Sequence, residues 1–329
     1  METVIEQAKE STLAGCLLER KMILELLAID PESAMAERLG RAAREVAEQV
    51  AGNAGRVWAS IGVDYAPCPV NCRFCSFGEK WGLVQDARYW NEEQIIKTAK
   101  LFLHGGARWI TLRTTEYYST EALARLARRV RDAVPGRYGI VANTGELDAK
   151  TSDTLLNATI GIAYHSLRLR EGVDTGIRTA SRLQTLASIQ TSPLELAYLV
   201  EPIGEEHTNE EIADVLLTAM KYGASLTGAM ARVPVAGTPL GELPIVSERR
   251  LAQITAVTRL VAGRQAPNIC SHPASKLAME WGANVVVVEA GAIPREAVHC
   301  GMAWRGFDME QATLWLQQAG YILERGLEA

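Results

Sequence analysis

The chain has 329 residues, 48% of them hydrophobic and 22% charged, with a net charge of -5 and six cysteines. That is enough apolar content to bury a core, and it excludes disorder. No basic run favours nucleic acid, and no apolar stretch reaches the roughly 18–20 residues of a membrane span. The opening METVIEQAKE is charged and polar, unlike an export signal, so the expected compartment is the cytoplasm.

Residues 1–56 read as a helical extension. Ser11 to Leu27 and Pro31 to Val50 carry apolar residues at helical spacing, with Asp30-Pro31 as the break. From residue 57 the chain alternates. Short β-branched runs stand at Val57–Val63, Trp109–Leu112, Tyr138–Ala142, Thr159–Tyr164, Glu195–Val200, Leu226–Val233, Asn268–Cys270 and Asn284–Val288. Amphipathic stretches follow the first seven, from Glu92–Leu103 to Ala274–Trp281, and Met309–Leu323 supplies an eighth. Strand–helix alternation implies parallel pairing. Eight units predict an α/β fold, a TIM-type (β/α)8 barrel over 57–329, with a doubly wound sheet as the rival. In such a barrel the chemistry gathers at the C-terminal ends of the strands.

Directly after the first strand stands Cys68-Pro69-Val70-Asn71-Cys72-Arg73-Phe74-Cys75. Three thiols on one short loop suit a soft metal centre, zinc or iron–sulfur. A structural zinc site takes four ligands. No cysteine or histidine occurs between Phe77 and Leu103, so a fourth ligand is not local.

This spacing at this place resembles the cluster loop of the radical S-adenosylmethionine (SAM) enzymes. Phe74 before the last cysteine fits too. The likeness is to their biotin synthase-like branch. Ala59–Phe77 resembles its first strand and cluster loop, Val233–Leu240 (VPVAGTPL) its sixth strand end, and Trp281–Val288 its last helix and strand. The resemblance implies a [4Fe–4S] cluster on Cys68, Cys72 and Cys75, with one iron left open for SAM. SAM would be cleaved to methionine and a 5′-deoxyadenosyl radical that takes hydrogen from an unactivated carbon. It also implies an electron donor such as flavodoxin or ferredoxin, and a small-molecule or carrier-protein-bound substrate.

By the same resemblance Thr115 and Glu116, after the second strand, face the SAM amino group. Ser166 and Arg168, after the fourth, face its ribose and amino acid. Arg178 faces its carboxylate, and Val200, Ile203 and Val233 its adenine. Each has a plainer alternative: a helix cap for Thr115, solvated charge for the arginines, barrel core for the valines.

Biotin synthases ligate an auxiliary cluster with cysteines of the second, third and fifth strands. Here those read WITLRT, GIVANT and LAYLVE, without cysteine. Cys270, expected at a strand end facing the cavity, and Cys300, together with His272 and His299, are instead candidates for a second cluster or a sulfur donor. For the cysteines the alternative is burial as small hydrophobes. The expectation is therefore sulfur insertion of lipoyl or biotin type, within a two-component system carrying a second radical SAM subunit. The alternatives are a metallocofactor maturase, a carbon-skeleton mutase, or a non-catalytic metal-binding subunit.

Overall fold

The computed structural model describes residues 2–295 and 308–327. Cys300 and His299 lie outside them. Eight parallel strands close on themselves: β1 (Ala54–Gly62), β2 (Ala107–Arg113), β3 (Gly139–Asn143), β4 (Ile162–Tyr164), β5 (Glu195–Ile203), β6 (Ala224–Ala231), β7 (Asn268–His272) and β8 (Val285–Gly291). β8 pairs back on β1 from Arg56 opposite Val285 to Gly62 opposite Gly291. This is the (β/α)8 barrel read from the alternation.

The ladders are uneven. β1 pairs with β2 along nearly its whole length, and β5 pairs with β6 from Leu196 to Ile203. By contrast β3 meets β4 only at Val141–Ile162 and Ala142–Ala163. β7 meets β8 at the single pair Cys270–Val285.

Successive side chains on a strand point to opposite faces. Outward residues such as Val57, Ala59, Ile61, Ile110 and Leu112 join the main core under the helices. Inward residues Trp58, Trp109, Val141, Ile162, Leu199, Leu226, Cys270 and Val285 form a separate dry plug inside the barrel. Two residues further along, Ser60, Thr111, Asn143, Tyr164, Glu201 and His272 are polar and line a cavity.

The barrel helices are α4 (Glu92–His104), α5 (Thr120–Ala133), α6 (Ala149–Leu156), α7 (Thr179–Gln190), α8 (Asn209–Lys221), α9 (Glu248–Ala262), α10 (Lys276–Glu280) and α11 (Met309–Gln318). Side-chain caps start most of them. Asn91, Asp148 and Thr208 form full capping boxes, which satisfy otherwise orphaned N–H groups. Chain 322–323 pairs with β1 as a short strand, where the sequence predicted helix. Among the described residues no helix is long and apolar enough to cross a membrane.

The extension holds three helices, α1 (Glu2–Leu13), α2 (Arg20–Leu27) and α3 (Ala34–Ala51). The expected single helix over Ser11–Leu27 is broken after Leu13, and Gly15 takes a left-handed φ of 79°. All three pack on α9, where every residue from Leu251 to Ala262 is buried. That helix lies between barrel and extension, so it needs no polar face. Gln253 and Leu260 tie the layers: the Gln253 amide donates to Ile29 O at 2.6 Å, and Thr12 donates to Leu260 O at 2.6 Å.

Candidate active site

The cysteine loop sits over the C-terminal mouth of the barrel and is pinned from several sides. Cys68 N donates to Phe77 O at 2.6 Å, which closes the loop. Arg73 N donates to Asp174 O at 2.8 Å, and its guanidinium reaches the Asp174 carboxylate at 2.9 Å. Leu240 N donates to Arg73 O, and Ser76 N to Pro294 O. Gly176 passes so close that a Cβ there would lie 2.2 Å from Val70 O.

All three thiols line one open cavity. Burial pushes the Cys72 thiol up to about 11 and the Cys75 thiol up to about 12, opposed by the charge of Arg168. Burial raises Cys68 as well. Without a cation these thiols stay protonated; a bound metal reverses that balance. Among the described residues no three His, Cys, Asp or Glu side chains converge on one ion position. Thiols that each hold a different corner of a cluster need not converge.

Beside the thiols stand two buried polar atoms with no hydrogen-bond partner, Glu116 Oε1 and Arg168 Nη1. Glu116 follows β2 and is held through its other oxygen, 3.4 Å from Arg182. Arg168 follows β4 and lies between Glu171 and Glu201, at 3.8 and 3.9 Å. Thr115 lines the cavity, but its N–H donates to Asp64 at 2.8 Å and its hydroxyl to the other Asp64 oxygen. Asp64 is buried, which raises its pKa against those two hydrogen bonds. It fixes the turn that carries Glu116. Phe74 and Val233 supply apolar wall.

Arg182, in the first turn of α7, anchors this side. It is 3.2 Å from Glu146, 3.4 Å from Glu116 and 3.6 Å from Glu171, with His165 Nδ1 at 3.4 Å. Burial, then the charges of Arg182 and Arg168, holds His165 well below its usual range, hence neutral.

Deeper in the cavity, the Tyr164 hydroxyl donates to Glu201 at 2.7 Å. Burial raises both groups, with Arg168 pulling Glu201 back. Near the strand ends on the β8 side, Arg113, Glu289, Arg295 and His272 meet. Burial alone would raise Glu289. The charges of Arg295, His272 and Arg113 instead hold it well below the usual carboxylate range.

Phe74, Thr115, Glu116, Arg168 and Val233 line the same cavity as the three thiols. Five other expectations are corrected by position. Ser166 is buried and accepts the Leu199 N–H at 3.1 Å, so its hydroxyl serves the strand pairing. Arg178 is exposed at the start of α7, and Arg182 one turn on faces inward. Val200 and Ile203 point outward into the core under the helices, whereas Leu199 and Glu201 line the cavity. Cys270 does not reach the cavity, because β7 continues to His272. The inward stripe puts His272 at the cavity and Cys270 one layer down in the plug.

Asp64, Arg113, Glu201, Arg295 and Glu289 were not anticipated. For Arg113 and Glu289 a signal existed: one charge at the C-terminal end of an otherwise apolar strand, in WITLR and VVVVE.

No family model matches the chain. The biotin synthase of Nocardioides sp. is 25% identical over 221 residues, covering 64% of this chain and 58% of that protein. That of Renibacterium salmoninarum is 25% identical over 264 residues, 77% and 75% of the two. The chain spans under two thirds of the first of these relatives. The crystal structure of methylornithine synthase superposes with a TM-score of 0.80 over 97% of this chain and 98% of that one, at 18% identity, a likeness of fold. In sequence the chain resembles the biotin synthase-like branch of the radical SAM enzymes, and it shares the barrel fold of methylornithine synthase. The branch implies a [4Fe–4S] cluster and SAM, and the three thiols with the two unpartnered polar atoms fit that pair.

Proposed function

We propose that this chain is a radical SAM enzyme acting on a small or carrier-bound substrate in the cytoplasm, with a flavodoxin or ferredoxin as electron source. The observation that carries it is the juxtaposition of three cavity-lining thiols with the unpartnered Glu116 Oε1 and Arg168 Nη1. Cys68, Cys72 and Cys75 would hold the cluster. Glu116 would accept from the SAM ammonium and Arg168 would donate to its carboxylate, a guanidinium suiting that partner. Phe74 and Val233 would cover the adenosine. When bound, cluster and SAM supply a 5′-deoxyadenosyl radical able to take hydrogen from an unactivated carbon. The chain's own residues do the rest. Asp64 and Arg182 fix Glu116, the Trp58–Trp109 plug closes the cavity against water from below, and Tyr164–Glu201 presents a polar contact between cofactor and floor.

Within this class the geometry favours chemistry on the substrate's own carbon skeleton. Cys270 lies in the plug, and among the described residues only the cluster-loop cysteines line the cavity. Sulfur insertion of lipoyl or biotin type, the sequence-level expectation, then rests on Cys300.

The test is anaerobic reconstitution followed by iron and sulfide analysis, then dithionite and SAM. About four irons and four sulfides per chain are expected, with 5′-deoxyadenosine formed, and both lost in a Cys68/Cys72/Cys75 triple alanine variant. Zinc without labile sulfide, or no 5′-deoxyadenosine from loaded protein, overturns the proposal.

A further inference from the structure

Residues 232–247 form an irregular strap between β6 and α9. A segment outside helix and sheet needs other donors for its carbonyls. Here one side chain supplies several of them. Arg232 Nη1 donates to Leu240 O at 2.5 Å and to Leu243 O at 3.4 Å. Its Nη2 donates to Pro244 O at 2.8 Å and to Glu206 Oε2 at 3.1 Å. The Arg232 side chain is 1% exposed. Its backbone N–H donates to Ile203 O at 2.7 Å, which roots it at the end of β5. Gly204 makes room for it: a Cβ there would lie 2.6 Å from Arg232 Nη2.

The strap reaches the cysteine loop. Leu240, whose carbonyl Arg232 holds, donates its own N–H to Arg73 O at 3.0 Å, between Cys72 and Cys75. Gly237, with a left-handed φ of 86°, passes Leu83 just beyond that loop. Val233, next to Arg232, lines the cavity together with the thiols. One guanidinium rooted on the barrel is therefore linked to the Arg73 carbonyl through a single residue.

We propose that Arg232 is a positioning residue for the cysteine loop. Through Leu240 it sets the place of Cys72 and Cys75 over the end of β6, and with it their distance from Val233. A guanidinium suits this task because its donors lie in one fixed plane, whereas a lysine ammonium is a point charge on a flexible stem. Asp174 and Pro294 pin the loop elsewhere, so losing Arg232 frees one edge of it. This deepens the proposed function and rests on it for what the loop carries.

The test is hydrogen–deuterium exchange of the cluster-loaded protein, read at 236–243 and at 71–77. In Arg232→Gln the protection of both segments should fall at least about tenfold, since hydrogen bonds from a charged donor are the costly ones to lose. Protection of β1 should not change, which shows the barrel intact. Arg232→Lys keeps a charge beside Glu206 and so guards against a variant that fails to fold. The same loss is expected there, because one ammonium cannot span three carbonyls. A chelator should strip iron from either variant at least about tenfold faster than from the native protein, as release follows opening of the loop. Loosening confined to 236–243, full protection of both segments, or unchanged iron release overturns the inference. Zinc in place of a cluster would sink the radical SAM reading and leave the coupled exchange standing.

Discussion

Replacing Arg182 with methionine removes the cation that three carboxylates share. The arginine side chain is 2% exposed and sits 3.2–3.6 Å from Glu146, Glu116 and Glu171. Breaking a buried ion pair by deleting one partner costs about 3–5 kcal/mol. Glu146 is a third exposed and can turn to solvent, but Glu171 is 1% exposed and cannot. The loss should therefore sit near the lower end, about 3 kcal/mol, read as a lower urea midpoint at unchanged slope. The pH dependence has a definite sign. Burial already raises Glu146 while Arg182 opposes the rise, so deleting the arginine raises it further. A carboxyl raised in the folded state stabilises at low pH and loses that contribution as pH climbs through its folded value. His165, held low by burial and by Arg182, is released in the same direction. The deficit of the variant should be largest near pH 8 and shrink towards pH 5. A loss under about 1 kcal/mol, or a deficit that grows on acidification, would refute the shared-cation account.

Gly176→Ala puts a methyl against Val70 O in the cysteine loop. Iron per chain after reconstitution should fall by half or more while the far-UV circular dichroism is unchanged; full iron loading would show that the loop gives way easily. Cys270→Ala should cost about 1–2 kcal/mol for the lost packing and leave iron content alone. In the native protein iodoacetamide should label exposed Cys16 and spare Cys270, and a drop in iron would restore a ligand role to Cys270. Asp64→Asn keeps the shape but sets an amide donor against Thr115 donors. SAM binding measured by equilibrium dialysis should weaken about tenfold through the displaced Glu116 turn, and unchanged binding would count against that positioning role.

The barrel and the cysteine loop were legible because both are local signals, a period in hydropathy and a spacing. Facing was legible only where polarity marks it. In Glu195–Ile203 every residue but the first is buried, so nothing in LAYLVEPI says that Leu199 and Glu201 point in while Val200 and Ile203 point out. Cys270 was misplaced by one layer because β7 runs two residues beyond its expected end. Arg178 was chosen because it opens the Arg-Thr motif, but it is the N-cap residue of α7 with extended backbone and lies exposed, whereas Arg182 in the first helical turn is buried. Asp64 was missed for another reason. Its partner Thr115 stands 51 residues away, and that meeting exists only once β1 and β2 are side by side.

The uneven ladders divide the barrel into two staves of four strands. One runs β8-β1-β2-β3 and carries the cysteine loop, Glu116, Arg113 and Glu289. The other runs β4-β5-β6-β7 and carries Arg168, Glu201, Val233 and His272. They join along two thin seams, β3–β4 and β7–β8, which lie across the barrel from each other. The softest deformation of the mouth is therefore a parting of the staves, since it strains the fewest backbone hydrogen bonds. Any molecule that touches both Glu116 and Arg168, or both Glu289 and His272, bridges that gap. Occupancy of the cavity and stiffness of the barrel are in this way one mechanical quantity, with the ligand acting as a rung the sheet itself lacks.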